Sequence, residues 1–211
     1  MTASRPLTDG ARLAVFVSGN GSNLQAVIDA CADGRLPATV AVVVSNNAEA
    51  YALERARAAG IPTEVRPHAG RDRAAYDQEL AYTVATYGAD LVVLAGWNRI
   101  LTSHFVGHHT TINLHPAKPG GFRGLGAIEA DFTAWQRGER SEGGVMVHYV
   151  PDEGVDDGPV IAWEAVPFHD GDTLDRYADR VHATEHRLLV DSLATLLEAP
   201  TAGVDTIGGR T

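Results

Sequence analysis

Residues 12–32 read RLAVFVSGNGSNLQAVIDACA, and this stretch decides the fold. Leu13 to Val17 is a short apolar run that reads as a buried strand. Ser18-Gly19-Asn20-Gly21-Ser22-Asn23 then makes a glycine-rich turn, and the spacing from Leu24 to Ala32 is helical. Such a turn gathers free backbone N–H groups and the positive end of a helix around an anion. Ser22 or Asn23 is placed to cap the helix while still facing a ligand. The turn is not a dinucleotide fingerprint, because Leu24 stands where the third glycine is required. It is not a Walker loop either, having no Gly-Lys-Ser/Thr. It suits one phosphate; a glycine-rich strand-to-helix turn with no ligand has the same letters.

The alternation continues outward from this unit. Strand-like runs lie at 13–18, 40–45, 91–95 and 111–115, with a weaker one at 63–65. Helical patterns lie at 22–32, 50–59, 72–87 and 127–138. Alternation of this kind implies right-handed βαβ units, hence an α/β fold with a mostly parallel, open twisted sheet and helices on both faces. Later strands at 145–150 and 160–166 and a long helix at 173–197 complete it, with Asp172 or Thr173 starting that helix and Asp175 in its first turn. The expected organisation is a loose tail over 1–10, a single domain over 11–198 and a second loose tail over 199–211. The stretch 118–126 is rich in glycine and reads as a surface loop.

A chain of 211 residues is long enough to bury a substantial core. Its formal charge of −10, from 17 basic and 27 acidic residues, argues against nucleic acid or an anionic membrane as partner. The single cysteine, Cys31, cannot form an internal disulfide, which fits a reducing cytoplasm, and reads as a small core residue of the first helix. No apolar stretch is long enough to span a bilayer, and 1–10 lacks the apolar core of a signal peptide.

Chemistry enters with Asn113-Leu114-His115-Pro116, which ends the β-branched run Thr110-Thr111-Ile112. Side chains alternate along a strand, so Asn113 and His115 share a face, and Pro116 takes the chain out of the sheet. Gly154-Val155-Asp156-Asp157-Gly158-Pro159 is an acidic loop whose glycines let Asp156 come close to a site. Amide, imidazole and carboxylate together suit acyl transfer: the first donates to an oxyanion, the second moves a proton, the third sets the charge of the second. Taken singly, each has a bland reading as a turn or capping residue. In open parallel sheets ligands bind beyond the carboxyl ends of the strands. The 18–24 turn, residues 96–99 and His115 all fall at that edge.

With these motifs in place, the chain from about Leu13 to about Leu197 resembles the phosphoribosylglycinamide formyltransferase family, folate-dependent enzymes of purine biosynthesis. The 18–25 turn is similar to the family's phosphate loop, Val93 to Leu101 to its folate-pocket segment, and Ile112 to Pro116 to its catalytic strand. Residues 144–150, 152–161, 180–182 and 185–186 follow in the family's order. The resemblance implies formyl transfer from 10-formyltetrahydrofolate to glycinamide ribonucleotide, direct and without a covalent enzyme intermediate or a metal. It implies Asn113, His115 and Asp156 as catalytic residues, and Gly21, Ser22, Asn23 and Glu185 as contacts to the ribonucleotide. Arg73, Trp97, Asn98, Arg99, Ile100, Leu101 and again Asn113 are implied on the folate side, with Arg99 meeting the glutamate tail or lining the pocket. The partners implied are these small molecules, with the protein a cytoplasmic monomer or homodimer.

The chain also departs from the family's bacterial pattern. Ala117-Lys118-Pro119-Gly120-Gly121-Phe122-Arg123-Gly124 replaces a Ser-Leu-Leu-Pro-like stretch and is closer to fungal and plant members. Gly126 stands in place of a usual histidine, Met146 replaces a common serine, and helix 127–138 carries a few extra residues. These departures leave open a related formyltransferase for another amine. A formyltetrahydrofolate hydrolase stays open too, although that enzyme tends to carry His-His after the strand asparagine where this chain has His115-Pro116. A non-catalytic phosphate-ligand binding protein is the alternative from another class. His182-Ala183-Thr184-Glu185-His186 matches the inverted zinc-protease signature H-x-x-E-H, but a third ligand is not apparent. Asp157 reads as a solvated neighbour of Asp156, and adjacent His108 and His109 point apart on a short helical segment.

Overall fold

The computed structural model describes residues 10–198, so the two expected tails, apart from Gly10, lie outside the described residues. Seven strands form one sheet in the order β3-β2-β1-β4-β5-β6-β7. The strands are β1 (Ala11–Val17), β2 (Ala38–Ser45), β3 (Thr63–Val65), β4 (Leu91–Leu94), β5 (Thr111–His115), β6 (Glu142–Tyr149) and β7 (Val160–Pro167). The first five pair in parallel, while β6 is reversed and pairs antiparallel with both β5 and β7. The helices are α1 (Ser22–Ala32), α2 (Tyr51–Ala58), α3 (Arg73–Thr86), α4 (Ser103–His108), α5 (Ala127–Gln136) and α6 (Leu174–Glu198).

Strand β1 shows why helices cover both faces. Leu13, Val15 and Val17 point into one core with Leu24 and Val27 of α1 and Val181, Leu189 and Leu193 of α6. Ala14 and Phe16 point into a second core with Tyr76 and Leu80 of α3 and Phe105 of α4. Period-two alternation across a strand buried on both sides makes a continuous apolar run, which is how β1 reads in the sequence. Phe16 is fully buried, and truncating a core phenylalanine typically costs about 3–5 kcal/mol.

After β1 the chain moves outward to β2 and β3, then returns to place β4 on the other side of β1. This reversal opens a crevice beyond the carboxyl ends of β1 and β4, where open α/β sheets bind ligands.

Two local expectations change. Neither Ser22 nor Asn23 caps α1: the cap is Gly21, left-handed at φ 76°, with no side-chain hydrogen bond. A glycine takes that backbone without strain, so the first amides of α1 stay open. Helix α6 is capped by Thr173, whose Oγ1 accepts from Arg176 N at 3.3 Å, while Asp172 accepts from His169 N and pairs with Arg180. Other element ends differ from the sequence pattern by a few residues at most, because terminal turns fray and tighten.

Candidate active site

A cavity of about 600 Å³ opens at the crevice and runs from the 19–23 turn, past 96–101, to the end of β5 and the acidic loop. The volume lies in the range of small-molecule sites.

The polar cluster at its floor is built by strand register. Asn113 and His115 share a face of β5, and antiparallel pairing sets His148 of β6 directly opposite Asn113. The acidic loop brings Asp156 over them. Its Oδ1 accepts from Asn113 Nδ2 at 2.9 Å and lies 3.5 Å from His148 Nε2. Its Oδ2 accepts from the Gly124 amide at 2.7 Å and lies 3.3 Å from His115 Nδ1.

Asp156 is the one non-glycine with positive φ among the described residues, at 49°. A strained backbone of this kind costs on the order of 1 kcal/mol and persists where surrounding contacts fix it. The flanking glycines answer to crowding: a Cβ on Gly158 would lie 1.9 Å from Tyr149 O, and one on Gly154 2.2 Å from Asp157 Oδ1. Burial pushes the Asp156 carboxyl up, but the His148 ring, the Gly124 amide and the His115 ring outweigh it and hold the carboxyl below its ordinary range. Asp156 is therefore a carboxylate at neutral pH.

The ring nitrogens of His115 both face oxygen. Nδ1 looks at Asp156 Oδ2, and Nε2 lies 2.7 Å from the Phe122 carbonyl. A carboxylate and a carbonyl only accept, so a ring that donates to both does so with a proton on each nitrogen. His148 sits deeper in the cluster: Nδ1 lies 2.8 Å from Tyr149 O, and Nε2 lies 3.2 Å from Asn113 Nδ2 and 3.5 Å from Asp156 Oδ1. The Asn113 amide group spends one hydrogen on Asp156 Oδ1, and an oxyanion takes the other or displaces that bond.

At the other end of the cavity the 19–23 turn presents the uncapped start of α1. Asn23 Oδ1 is buried there without a partner. Gly21 has no room for a side chain, since a Cβ would stand 2.5 Å from Ala52 Cβ. Helix α5 also starts at a left-handed glycine without a side-chain cap, Gly126 at φ 77°, so a second positive helix end reaches the cavity wall.

Helix α3 sets the shape of the 96–101 wall. Asp77, 2% exposed, accepts from Thr102 N at 2.5 Å. Arg73 donates to the carbonyls of Ile100 and Leu101 at 3.4 and 3.2 Å and pairs with Glu153 at 2.8 Å. Arg73 thus braces the wall and the acidic loop and is not among the residues lining the cavity. Trp97 lines the cavity, and the other side of its ring packs on Phe16 with centroids 5.1 Å apart. Asn98, also in the lining, accepts at Oδ1 from Ser18 Oγ and Asn46 Nδ2, tying together the ends of β1, β2 and β4. Arg99 lies over the Tyr76 ring at 4.6 Å, its Nε buried without a partner. Ile100 and Leu101 line the cavity, the first exposed and the second buried.

Glu185, 5% exposed, reaches the cavity from α6 and bonds His182 Nδ1 at 2.7 Å. That bond, against the opposing effect of burial, raises the His182 pKa. His186 follows the other course, its pKa lowered by burial, and its Nε2 has no partner. The H-x-x-E-H letters therefore form a His–Glu pair plus a separate half-buried histidine. His108 and His109 do point apart, one to His104 O and the other onto the Phe105 ring. Asp157 pairs with Arg123 at 2.9 Å and is exposed, so it is less free than a solvated neighbour. Cys31 lies outside the cavity lining, and burial, with Asp33 adding to it, pushes its thiol up to about 11, far from a reactive thiolate.

Four contributors were not expected from the sequence. His148 sits on an apolar strand whose register to β5 is a long-range property. The Phe122 carbonyl and Gly124 amide are backbone groups that no letter marks. Arg55 bonds the 19–23 turn from α2.

Comparison with known proteins bears on this site. Residues 11–193 match the protein family described as formyl transferase. The chain is similar to phosphoribosylglycinamide formyltransferase of Schizosaccharomyces pombe (strain 972), 42% identical over 204 residues, covering 89% of this chain and 97% of that protein. It is 44% identical over 179 residues to the Escherichia coli (strain K12) protein of the same name, covering 83% and 82% of the two. The crystal structure of phosphoribosylglycinamide formyltransferase from Bacillus halodurans superposes with a TM-score of 0.83 at 35% identity, covering 90% of this chain and 97% of that one.

Proposed function

The chain belongs to the formyl transferase family, and from that premise we propose that it transfers a formyl group from 10-formyltetrahydrofolate to the amine of glycinamide ribonucleotide in de novo purine biosynthesis. The observation that carries the proposal is a single cavity with an uncapped glycine turn at one end and the Asn113, His115 and Asp156 cluster at the other. The first suits a phosphate and the second an acyl transfer.

In this reading the amine attacks the formyl carbon as it lies against Asn113 and His115. Asn113 donates to the oxygen that becomes negative. His115, held as the imidazolium by Asp156, stabilises the same charge and gives a proton to the departing folate nitrogen. Asp156 then accepts, through water, the proton that the amine sheds, so the protons balance. Gly21, Ser22 and Asn23 hold the phosphate with backbone N–H groups, and Glu185 takes ribose hydroxyls. Arg99, which pairs with no carboxylate among the described residues, meets the folate's carboxylate tail against the 97–101 wall. Arg73 acts behind that wall. The chemistry calls for no metal, and the protein works in the cytoplasm as a single domain, monomer or homodimer. Among the described residues no helix is long and apolar enough to cross a membrane.

Steady-state turnover decides between this and the rivals. The expected result is release of tetrahydrofolate that depends on glycinamide ribonucleotide. Release without any amine would make the chain a hydrolase, release with a different amine only would change the acceptor, and none at all sinks the reading.

The phosphate assignment has its own test. Gly21→Val puts a branched side chain at φ 76° and against Ala52. Overpacking of this kind costs about 1–3 kcal/mol. The variant is expected to raise the KM for the ribonucleotide far more than that for the folate. Equal rises in the two constants would remove the turn from the phosphate site.

A further inference from the structure

Helix α2 shapes the turn that faces the ligand. Ala52 N donates to Gly19 O at 3.2 Å, and the Ala52 methyl fills the space a Gly21 side chain would need. Arg55 completes the contact. Its Nε donates to Asn20 O at 2.9 Å, its Nη2 to Asn20 Oδ1 at 2.9 Å, and its Nη1 to Gln25 Oε1 at 3.3 Å. The guanidinium also lies 4.9 Å from the Tyr51 ring centroid.

Two consequences follow from this geometry. A trans peptide points its C=O and N–H in opposite directions, so fixing Asn20 O on Arg55 turns the Gly21 N–H away from α2, on the side where the turn lines the cavity. The acceptors of Arg55 are moreover all neutral. Arg35, Arg57 and Arg187 each sit on a carboxylate, whereas Arg55 pairs with none among the described residues. Its charge therefore remains beside a turn whose own residues, Gly19 to Asn23, carry none.

We propose that Arg55 is the positioning residue of the phosphate turn, fixing the direction of its N–H groups and supplying the positive charge that the turn lacks. The assignment rests on the reading above, in which the acceptor's phosphate binds at 19–23. It goes beyond that reading in placing part of the affinity on a side chain behind the turn. A planar fork suits this task, since two of its bonds converge on one residue.

The test is calorimetric binding of glycinamide ribonucleotide, and of the glycinamide riboside that lacks the phosphate, to the wild type, Arg55→Gln and Arg55→Lys. Charge-assisted hydrogen bonds of this type correspond to about 10- to 100-fold in affinity. Arg55→Gln is expected to weaken the ribonucleotide by that factor and to leave the riboside unchanged. The KM for the folate and kcat at saturating substrates should stay near wild-type values. Arg55→Lys should recover the dependence on ionic strength without full affinity, because an ammonium keeps the charge and loses the fork. Should Arg55→Gln fail to fold, Arg55→Lys decides alone, and wild-type affinity in it overturns the proposal. Equal losses for ribonucleotide and riboside overturn it, as does a wild type that binds the two equally. A wild type that binds the ribonucleotide through its phosphate yet never turns over leaves Arg55 in place and removes the proposed reaction.

Discussion

His115→Ala is expected to leave a folded protein whose kcat falls by roughly 10²–10⁴-fold, the range for losing a general acid–base group. The size follows from the two jobs the ring holds at once. Its Nδ1 is 3.3 Å from Asp156 Oδ2, the carboxylate that in the proposed reaction keeps an imidazolium beside the developing oxyanion. Its Nε2 is the nitrogen that faces away from Asp156, now bonded to the Phe122 carbonyl and available to substrate once that bond opens. Alanine removes both. The fold should survive, although the cost is real: the ring is 4% exposed, and its loss leaves the Phe122 carbonyl short of a donor. Even a fully buried orphaned acceptor costs only about 1–3 kcal/mol, within the 5–15 kcal/mol stability of an ordinary domain. Asp156 Oδ2 keeps the Gly124 amide, so the acidic loop stays docked. Thermal unfolding beside kcat separates the two effects. A folded His115→Ala with kcat within a few-fold of wild type would remove the histidine from the chemistry.

The parts of this site that the sequence reveals are those set by local periodicity. The change from period two to a helical period around Gly19 and Gly21 announces β1 and α1, and the alternation Asn113-Leu114-His115 puts two functional groups on one face. What sequence conceals is either backbone or long-range. His148 meets Asn113 only because β6 returns antiparallel in one register. Arg73 has letters that suit a folate contact, yet Glu153, distant in sequence, claims one of its nitrogens. Ser22 has the chemistry of a cap, but Gly21 takes the left-handed backbone and leaves it nothing to cap. The pair Asp156-Asp157 is ambiguous in letters. Folding resolves it by a positive φ at the first, which turns one carboxylate inward to two histidines and the other outward to Arg123.

That resolution sets the second large effect. Asp156→Asn keeps the shape of the side chain and removes its charge, and kcat is expected to fall by roughly 10²-fold or more. The carboxylate receives Asn113 Nδ2 and the Gly124 amide, with His115 Nδ1 also facing it. An amide has one oxygen to offer and must turn its NH₂ toward another donor, so at least one of these contacts breaks. The imidazolium loses its counter-charge in the same step. His115 and Asp156 act as a unit in this account, so the double variant His115→Ala with Asp156→Asn should be little worse than the poorer single one. Asp157→Asn is the control: its exposed pair with Arg123 contributes about 0–1 kcal/mol, and kcat should stay within a few-fold of wild type. A pH titration of stability supplies a readout independent of turnover. The folded carboxyl of Asp156 is held below its ordinary 3.8 by its donors despite burial, so its contribution is complete above that value and is lost as pH falls through the folded one. Wild type should therefore lose stability relative to Asp156→Asn as the pH drops below about 3.8. Parallel acid unfolding of the two proteins, or a fully active Asp156→Asn, would move the catalytic carboxylate elsewhere.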